Sequence, residues 1–225
     1  QHEQALADLK RALELNSDRA GTLGMSETVR LAAASDEFRQ RVLEFARDAV
    51  DKSPDRAQAL QDRADFYLGL SEWEKAQADL EKLVASETAS HVPHYQHALV
   101  CLILNEARKY RDACAAMARK FGKSDDPMAA NFVAWTCALA PDAVDDYGPV
   151  LALATKAVEA CPDSDQCLNT LGAILCRAGR HEEAIKWLAE LDRPVEGPDA
   201  KADSSPAYTW YFLAMVHKKV GTEEK

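Results

Sequence analysis

An all-α solenoid of antiparallel helix hairpins, about five to six of them, is the fold that this sequence predicts. Three observations predict it. Ala, Leu, Glu, Lys and Arg dominate the 225 residues, whereas glycine and proline are sparse, which favours helices over strands. Small residues recur twelve positions apart across short turns. Prolines stand where helices begin or end, as expected from a residue that lacks a backbone N–H.

The clearest hairpin is predicted from residue 165 to about residue 193. Its two helices face each other with apolar or small residues, namely Leu168, Leu171, Gly172, Leu175, Ala184, Leu188 and Leu191. Gly179 lies in the turn between them, where a helix C-terminus favours a left-handed residue. Gly172 and Ala184 are twelve positions apart, and their small size indicates that the two helices cross closely there.

The same template fits four other stretches of the chain. One hairpin from residue 57 carries Leu60, Ala64, Tyr67, Trp73, Ala76, Leu80 and Leu83 at the pattern positions. The next carries Cys101, Leu104, Tyr110 and Ala113, and a further one has Ala134 followed by a second helix over 147–160. A last, partial unit carries Trp210, Leu213, Ala214 and Gly221 without a second helix. Pro93, Pro127 and Pro206 are predicted to mark helix starts.

The ends and linkers fit the template less well. Residues 1–15 predict an isolated second helix, with Ala5, Leu9 and Ala12 at the pattern positions. Residues 16–35 and 192–205 predict loops or irregular helix. The chain starts at Gln1 without a signal peptide, and a new helix is predicted to start at its end. We therefore expect an excised piece of a longer protein, organised as one solenoid domain over 1–225.

Two small residues twelve positions apart recur along the chain, together with Trp or Tyr, Leu and a terminal Pro. This pattern resembles the tetratricopeptide repeat family over most of residues 36–221. Residues 126–141 (DPMAANFVAWTCALAP) and 168–172 (LNTLG) further resemble the repeat tails of large bacterial signalling proteins, many of which carry a serine/threonine kinase domain upstream. The resemblance implies a right-handed superhelix with a concave groove lined by the first helix of each hairpin. It also implies a scaffold that binds a partner protein or peptide segment in that groove.

By pattern position, the groove of such a repeat array would expose a set of candidate peptide-binding side chains: Asn131, Trp135, Asn169, Arg177, Tyr208, Tyr211 and Lys218. Asn131 and Asn169 hold equivalent places and resemble the asparagine ladder with which some family members hold a peptide. In the alternative interpretation each asparagine hydrogen-bonds a neighbouring helix or loop. Trp135 and the tyrosines are either anchors for a bound chain or packing residues between repeats.

Charge and cysteine content narrow the function classes. The formal net charge of −10 and a pI near 5.1 argue against nucleic-acid binding, which needs clustered Lys and Arg. No apolar run is long enough to span a bilayer.

None of the six cysteines forms a C-x-x-C pair, so buried, reduced thiols in a cytoplasmic protein are expected. Cys161 and Cys167 are the nearest pair if a disulfide is present.

The sequence contains one cluster of residues that resembles a metal site. His91, His94 and His97 recur every three residues, followed by Cys101, which is compatible with zinc. Pro93 is expected to start the helix and leave His91 off its surface, so ordinary surface histidines are the favoured interpretation. No phosphate loop, nucleophile elbow or kinase motif is present. No metal, no cofactor and no catalytic residue is therefore assigned.

These observations predict a non-catalytic interaction module that binds a protein or peptide. The alternative is a structural spacer or a self-association segment of a larger bacterial signalling protein, in which the unpaired first helix at the C-terminal end would associate with another copy.

Overall fold

The computed structural model describes residues 29–53, 55–86, 89–191 and 206–223. These residues form α-helices and connecting turns and contain no strand, which confirms the all-α class. The chain divides into two compact units, Gln1–Asn105 and Glu106–Lys225. The predicted helix over 1–15 and the predicted loop over 192–205 lie outside the described residues.

The first unit contains four full helices after a helical stretch over residues 29–34. They are α1 (Asp36–Lys52), α2 (Arg56–Gly69), α3 (Trp73–Val84) and α4 (His91–Ile103). One core lies between α1 and α2 and includes Phe38, Val42 and Phe66. Leu31 from the stretch that fits the repeat poorly is buried in this core too. A second core around Leu80 joins α2, α3 and α4.

The second unit contains the remaining six described helices. They are α5 (Ala107–Phe121), α6 (Pro127–Ala138), α7 (Gly148–Ala160), α8 (Asp165–Arg177), α9 (His181–Leu191) and α10 (Pro206–Glu223). Helices next to each other along this unit pack together from α5 to α10, and α8 also packs on α6 and on α10. This is the arrangement of stacked helix hairpins that the repeat predicts.

Polar residues begin the helices where an unpaired backbone N–H needs an acceptor. Ser35 accepts a hydrogen bond from the backbone N of Phe38 (3.3 Å) at the start of α1. Asp126 accepts from Met128 N (2.9 Å) at the start of α6, with Pro127 in the first turn. Asp126 thus caps α6, whereas Glu72 and Glu106, which precede α3 and α5, make no side-chain capping hydrogen bond.

Three of the turns that follow first helices share one backbone device. Ser71, Asn105 and Gly179 have positive φ angles of 58°, 58° and 75°, and each lies two residues beyond the end of a first helix. After α8, Gly179 N donates to Cys176 O (3.2 Å) and Arg180 N to Leu175 O (3.0 Å), which closes the helix end in a Schellman motif. The predicted left-handed role of Gly179 is confirmed.

The small residues lie where paired helices touch. A Cβ atom built on Gly172 would lie 2.5 Å from Cγ of Leu188 on α9, closer than two carbon atoms pack. Ala184, twelve residues after Gly172, is 0 % exposed, as are Ala64 and Ala76 of the α2–α3 hairpin. The close crossing predicted from these residues is confirmed.

One predicted helix start is wrong. The helix containing Pro93 begins at His91, two residues earlier than expected. The N–H groups of the first helical turn have no intrahelical acceptor, so a proline at the third position removes no hydrogen bond. Pro127 and Pro206 are the first residues of their helices, as predicted.

Candidate functional site

The candidate residues all belong to the second unit, on three helices that are stacked through α8. Asn131 and Trp135 lie on α6, Asn169 and Arg177 on α8, and the remaining three, Tyr208, Tyr211 and Lys218, on α10. Because α8 packs against both α6 and α10, side chains from all three helices can meet along one wall. We call the wall formed by these three helices the α6–α8–α10 wall.

Aromatic rings join the two outer helices of this wall. The ring centroid of Trp135 lies 5.0 Å from that of Tyr208 and 6.2 Å from that of Phe212, both edge to face. Tyr211 contacts Phe212 at 5.4 Å in the same geometry. Edge-to-face pairs at such distances are favourable. Trp135 is therefore half-buried by its neighbours, whereas Tyr208 and Tyr211 keep 49 % and 59 % of their surface exposed.

Arg177 is engaged with the end of α6. Its Nε donates to Ala138 O (2.7 Å) and its Nη2 to Leu139 O (3.3 Å). These carbonyls are the unpaired acceptors of a helix C-terminus, where a cation also complements the helix dipole. The guanidinium carbon lies 5.7 Å from the centroid of the Phe212 ring. Arg177 thus links the C-terminal end of α6 on one side and Phe212 of α10 on the other to α8.

The two asparagines are not exposed, and this corrects the expectation that they face solvent. Asn131 and Asn169 are 1 % and 3 % exposed. The Asn169 Oδ1 accepts a 2.7 Å hydrogen bond from the hydroxyl of Thr209 on α10, so this asparagine joins neighbouring helices. Burial arises because α10 packs over the α8 surface that the repeat pattern places in the groove.

Asn131 differs from Asn169 in its hydrogen bonding. Within the described part of the chain, neither its Nδ2 nor its Oδ1 has a hydrogen-bond partner. A buried amide without partners costs about 1–3 kcal/mol of stability. The side chain therefore carries one donor group and one acceptor that no described residue uses, one helical turn before Trp135 on the same helix.

Lys218 lies further along α10 than the tyrosines. It is exposed on α10, seven residues, or two helical turns, beyond Tyr211. The structure therefore brings together Trp135, Arg177 and Tyr211 around Phe212, with Tyr208 against Trp135. Lys218 follows two turns further along the same helix.

Two residues of the wall were missed by the sequence reasoning, Thr209 and Phe212. Both are buried, at 2 % and 3 % exposed, and both lie on the α10 face that packs on α8 and α9. Their spacing of three, continued by Val216 four residues later, is the apolar periodicity of an amphipathic helix. That spacing could have identified them.

The first unit carries a polar cluster on α2 and α4. The Asp65 Oδ1 accepts hydrogen bonds from Gln96 Nε2 (2.7 Å) and Gln61 Nε2 (3.0 Å). Gln61 also donates to Gln96 Oε1 (2.7 Å). Burial raises the pKa of Asp65, and the two amide donors oppose that rise in part. The cluster is compatible with a structural polar link between two first helices.

The histidine cluster does not assemble into a metal site among the described residues, where no group of three or more His, Cys, Asp or Glu side chains is placed to hold a metal ion. His94 is buried, at 6 % exposed. The Nε2 of His97 lies 3.7 Å from the Sγ of Cys101 and 4.0 Å from a carboxylate oxygen of Glu81. Cys101 is 0 % exposed, so this thiol is closed to a substrate.

All six cysteines lie in the described residues and none forms a disulfide. Five are buried and Cys161 is intermediate. Over the described ranges, no helix has the length and apolar character that crossing a membrane requires.

Comparison with known protein families finds a match within the second unit. Residues 153–186 match the family model of the tetratricopeptide repeat. The matched segment covers the last two turns of α7, the whole of α8 and the first half of α9. It contains Gly172 and ends two residues before Leu188. None of the curated proteins compared with the chain matches it.

Proposed function

Proceeding from the tetratricopeptide repeat match over residues 153–186, we propose that this chain is a non-catalytic protein-interaction module. Its ligand is a segment of a partner protein, and the α6–α8–α10 wall is the surface that binds it. We propose further that the module is part of a larger cytoplasmic signalling protein of bacterial type, because residues 126–141 and 168–172 resemble the repeat tails of such proteins.

The observation that carries the proposal is the pair of exposed tyrosines beside a half-buried tryptophan. Tyr208 and Tyr211 expose about half of their surface or more, and Tyr208 contacts Trp135. Exposed aromatic side chains on rigid helices can bury large areas at little entropic cost, and Tyr and Trp are enriched among residues that dominate binding energy. Arg177 supports the wall by joining the end of α6 to Phe212 of α10.

A peptide-library selection on the immobilised 225-residue chain tests the proposal. Selected peptides are then titrated against the protein by fluorescence anisotropy. We expect Tyr208→Ala to raise the Kd of selected peptides about tenfold, which corresponds to about 1.4 kcal/mol. Far-ultraviolet circular dichroism checks that the variant keeps its helical content.

Trp210→Ala is the matched control. Trp210 is 57 % exposed on the same helix but is not one of the seven candidate residues. Its removal should leave the Kd within about twofold of the wild-type value, which is within the usual scatter of energetically neutral contacts. Peptides that bind Tyr208→Ala as tightly as the wild type would show that the wall is not the binding surface.

A further inference from the structure

Two buried thiols meet where α5 packs against α6. Cys114 of α5 and Cys137 of α6 are both 0 % exposed, and their side chains are hydrogen-bonded to each other. The Cys114 Sγ also lies 4.0 Å from the backbone oxygen of Thr136, the residue before Cys137. The two sulfur atoms therefore face each other across one helix contact of the second unit.

Tyr110 holds the backbone on both sides of Cys137. The Tyr110 hydroxyl donates a 2.6 Å hydrogen bond to Thr136 O and accepts a 3.2 Å hydrogen bond from Ala140 N. Tyr110 precedes Cys114 by one helical turn, so the two side chains lie on the same face of α5. The position of Cys137 relative to Cys114 is therefore fixed by these contacts as well as by the thiols themselves.

The two thiols differ in acidity. The hydrogen bond from the Cys137 thiol lowers the pKa of Cys114, although burial opposes this change. The same hydrogen bond, together with burial, raises the pKa of Cys137. The thiolate is the form of cysteine that reacts with peroxides, and a neighbouring thiol can then displace the oxygen from the product. Cys114 is thus the better nucleophile of the pair, and Cys137 is placed to act second.

We propose that Cys114 and Cys137 form a peroxide-sensitive pair that closes into a disulfide between α5 and α6. The Cys114 sulfur attacks one oxygen of hydrogen peroxide, the O–O bond breaks, and the leaving hydroxide takes the Cys114 proton to form water. The Cys137 sulfur then attacks the sulfenic sulfur of Cys114, and an S–S bond replaces the S–O bond. The second hydroxide leaves as water with the Cys137 proton. The two thiols lose two electrons in total, and the peroxide is reduced to two molecules of water.

Burial of the pair selects the oxidant. Hydrogen peroxide is uncharged and little larger than water, so brief local openings of the helices admit it but exclude a bulky thiol reagent. The disulfide closes a loop of chain between residues 114 and 137, which restricts the unfolded state and stabilises the fold. Thiol–disulfide exchange with a reducing dithiol reverses it. Neither cysteine belongs to the seven peptide-binding candidates, so this device and the proposed function stand or fall separately.

Peroxide treatment of the reduced 225-residue chain tests the pair. After brief exposure to a small excess of hydrogen peroxide, the remaining thiols are alkylated in denaturant and the protein is digested with trypsin. Cys114 and Cys137 are the only cysteines of the tryptic peptides 112–119 and 124–156, and we expect these peptides to be recovered as one disulfide-linked species. The Tm of the oxidised protein should rise by about 5–10 °C. Dithiothreitol should reverse both changes.

Serine variants identify the role of each thiol. In Cys137→Ser the serine hydroxyl still donates to Cys114, so peroxide should leave a sulfenic acid at Cys114 that dimedone traps on denaturation. Cys114→Ser should give no trapped sulfenic acid at Cys137. Cys101→Ser is the matched control: Cys101 is equally buried but contacts His97 and Gln77, so its loss should leave the 114–137 disulfide intact. Free thiols at both positions after peroxide treatment of the wild type, or a disulfide that joins other cysteines instead, overturn the proposal.

Discussion

Ser71 and Asn105 occupy a backbone conformation that costs them stability. Both have a φ of 58°. Ser71 is strained there by about 1 kcal/mol or more relative to glycine, whereas asparagine tolerates this conformation better. Gly179 holds the same place after α8 without that cost.

We expect Ser71→Gly to raise the free energy of unfolding by about 1 kcal/mol, because it removes the Cβ strain in the α2–α3 turn. Urea denaturation followed by circular dichroism measures the change. Gly179→Ala is the reverse substitution at the equivalent position, and it should lower the free energy of unfolding by a similar amount. A neutral or destabilising Ser71→Gly would contradict this account of the turn.

Asp65 is expected to make stability depend on pH. Burial raises the pKa of Asp65 in the folded state, so the folded protein holds this proton to higher pH than the unfolded chain does. The stabilising contribution of this group is therefore present below its unfolded pKa, about 3.9, and is lost as pH rises through the folded pKa. Asp65→Asn removes the charge and keeps an Oδ1 acceptor for Gln61 and Gln96.

We accordingly expect Asp65→Asn to raise the Tm at pH 7, and we expect that gain to shrink as the pH falls toward about 4. Differential scanning calorimetry across this range measures both effects. Asp163→Asn, at an exposed position, is the control and should change the Tm little. A lower Tm for Asp65→Asn at pH 7 would mean that the hydrogen bonds to the charged carboxylate stabilise the fold by more than its burial destabilises it.

At the scale of the helix hairpin, close packing opposes intrinsic helix propensity at Gly172. Alanine is favoured over glycine in a helix by about 1 kcal/mol. However, the added Cβ would lie 2.5 Å from Cγ of Leu188, a side chain that is 0 % exposed, and overpacking of this kind costs about 1–3 kcal/mol.

The cost of overpacking should exceed the gain in helix propensity. We therefore expect Gly172→Ala to lower the free energy of unfolding by about 1 kcal/mol. Guanidinium titration measures it. The double variant Gly172→Ala with Leu188→Ala should lose less than the sum of the single changes, because the smaller residue at 188 makes room for the new methyl group. A stabilised Gly172→Ala would show that Leu188 moves aside freely.

The hairpins were predictable because their signals are local. Small residues twelve apart, a glycine in the turn and prolines in first turns all act within one hairpin, so a single pass along the sequence finds them. The buried state of Asn169 was not predictable in the same way. It depends on Thr209, forty residues later, and helical periodicity alone does not reveal which later helix covers a given face.

Arg177 illustrates the same limit for the candidate site. Its spacing places it on the first-helix face, where a ligand contact was expected, but its guanidinium is directed to the carbonyls of Ala138 and Leu139. The left-handed conformations of Ser71 and Asn105 were also missed, because only glycine signals such a turn strongly from sequence.

Over the whole molecule, thiol accessibility reports on the packing of the hairpins. Five of the six cysteines are buried and Cys161 is partly exposed. We expect a thiol-reactive dye to label one cysteine rapidly in the native protein and all six in denaturant, since buried thiols react only when the structure opens. Peptide mapping should place the fast label on Cys161. Rapid native labelling of Cys114 or Cys137 would contradict the burial of the α5–α6 contact.

The stacking of each helix on its neighbours along the chain has a consequence for how the protein is made. The main helix contacts in each unit join elements that are adjacent or next but one in sequence, so few contacts require distant parts of the polypeptide to meet. Chains of this type tend to fold fast, because little loop entropy is lost before contacts form. Each hairpin can thus close soon after its second helix leaves the ribosome, while later residues are still being synthesised.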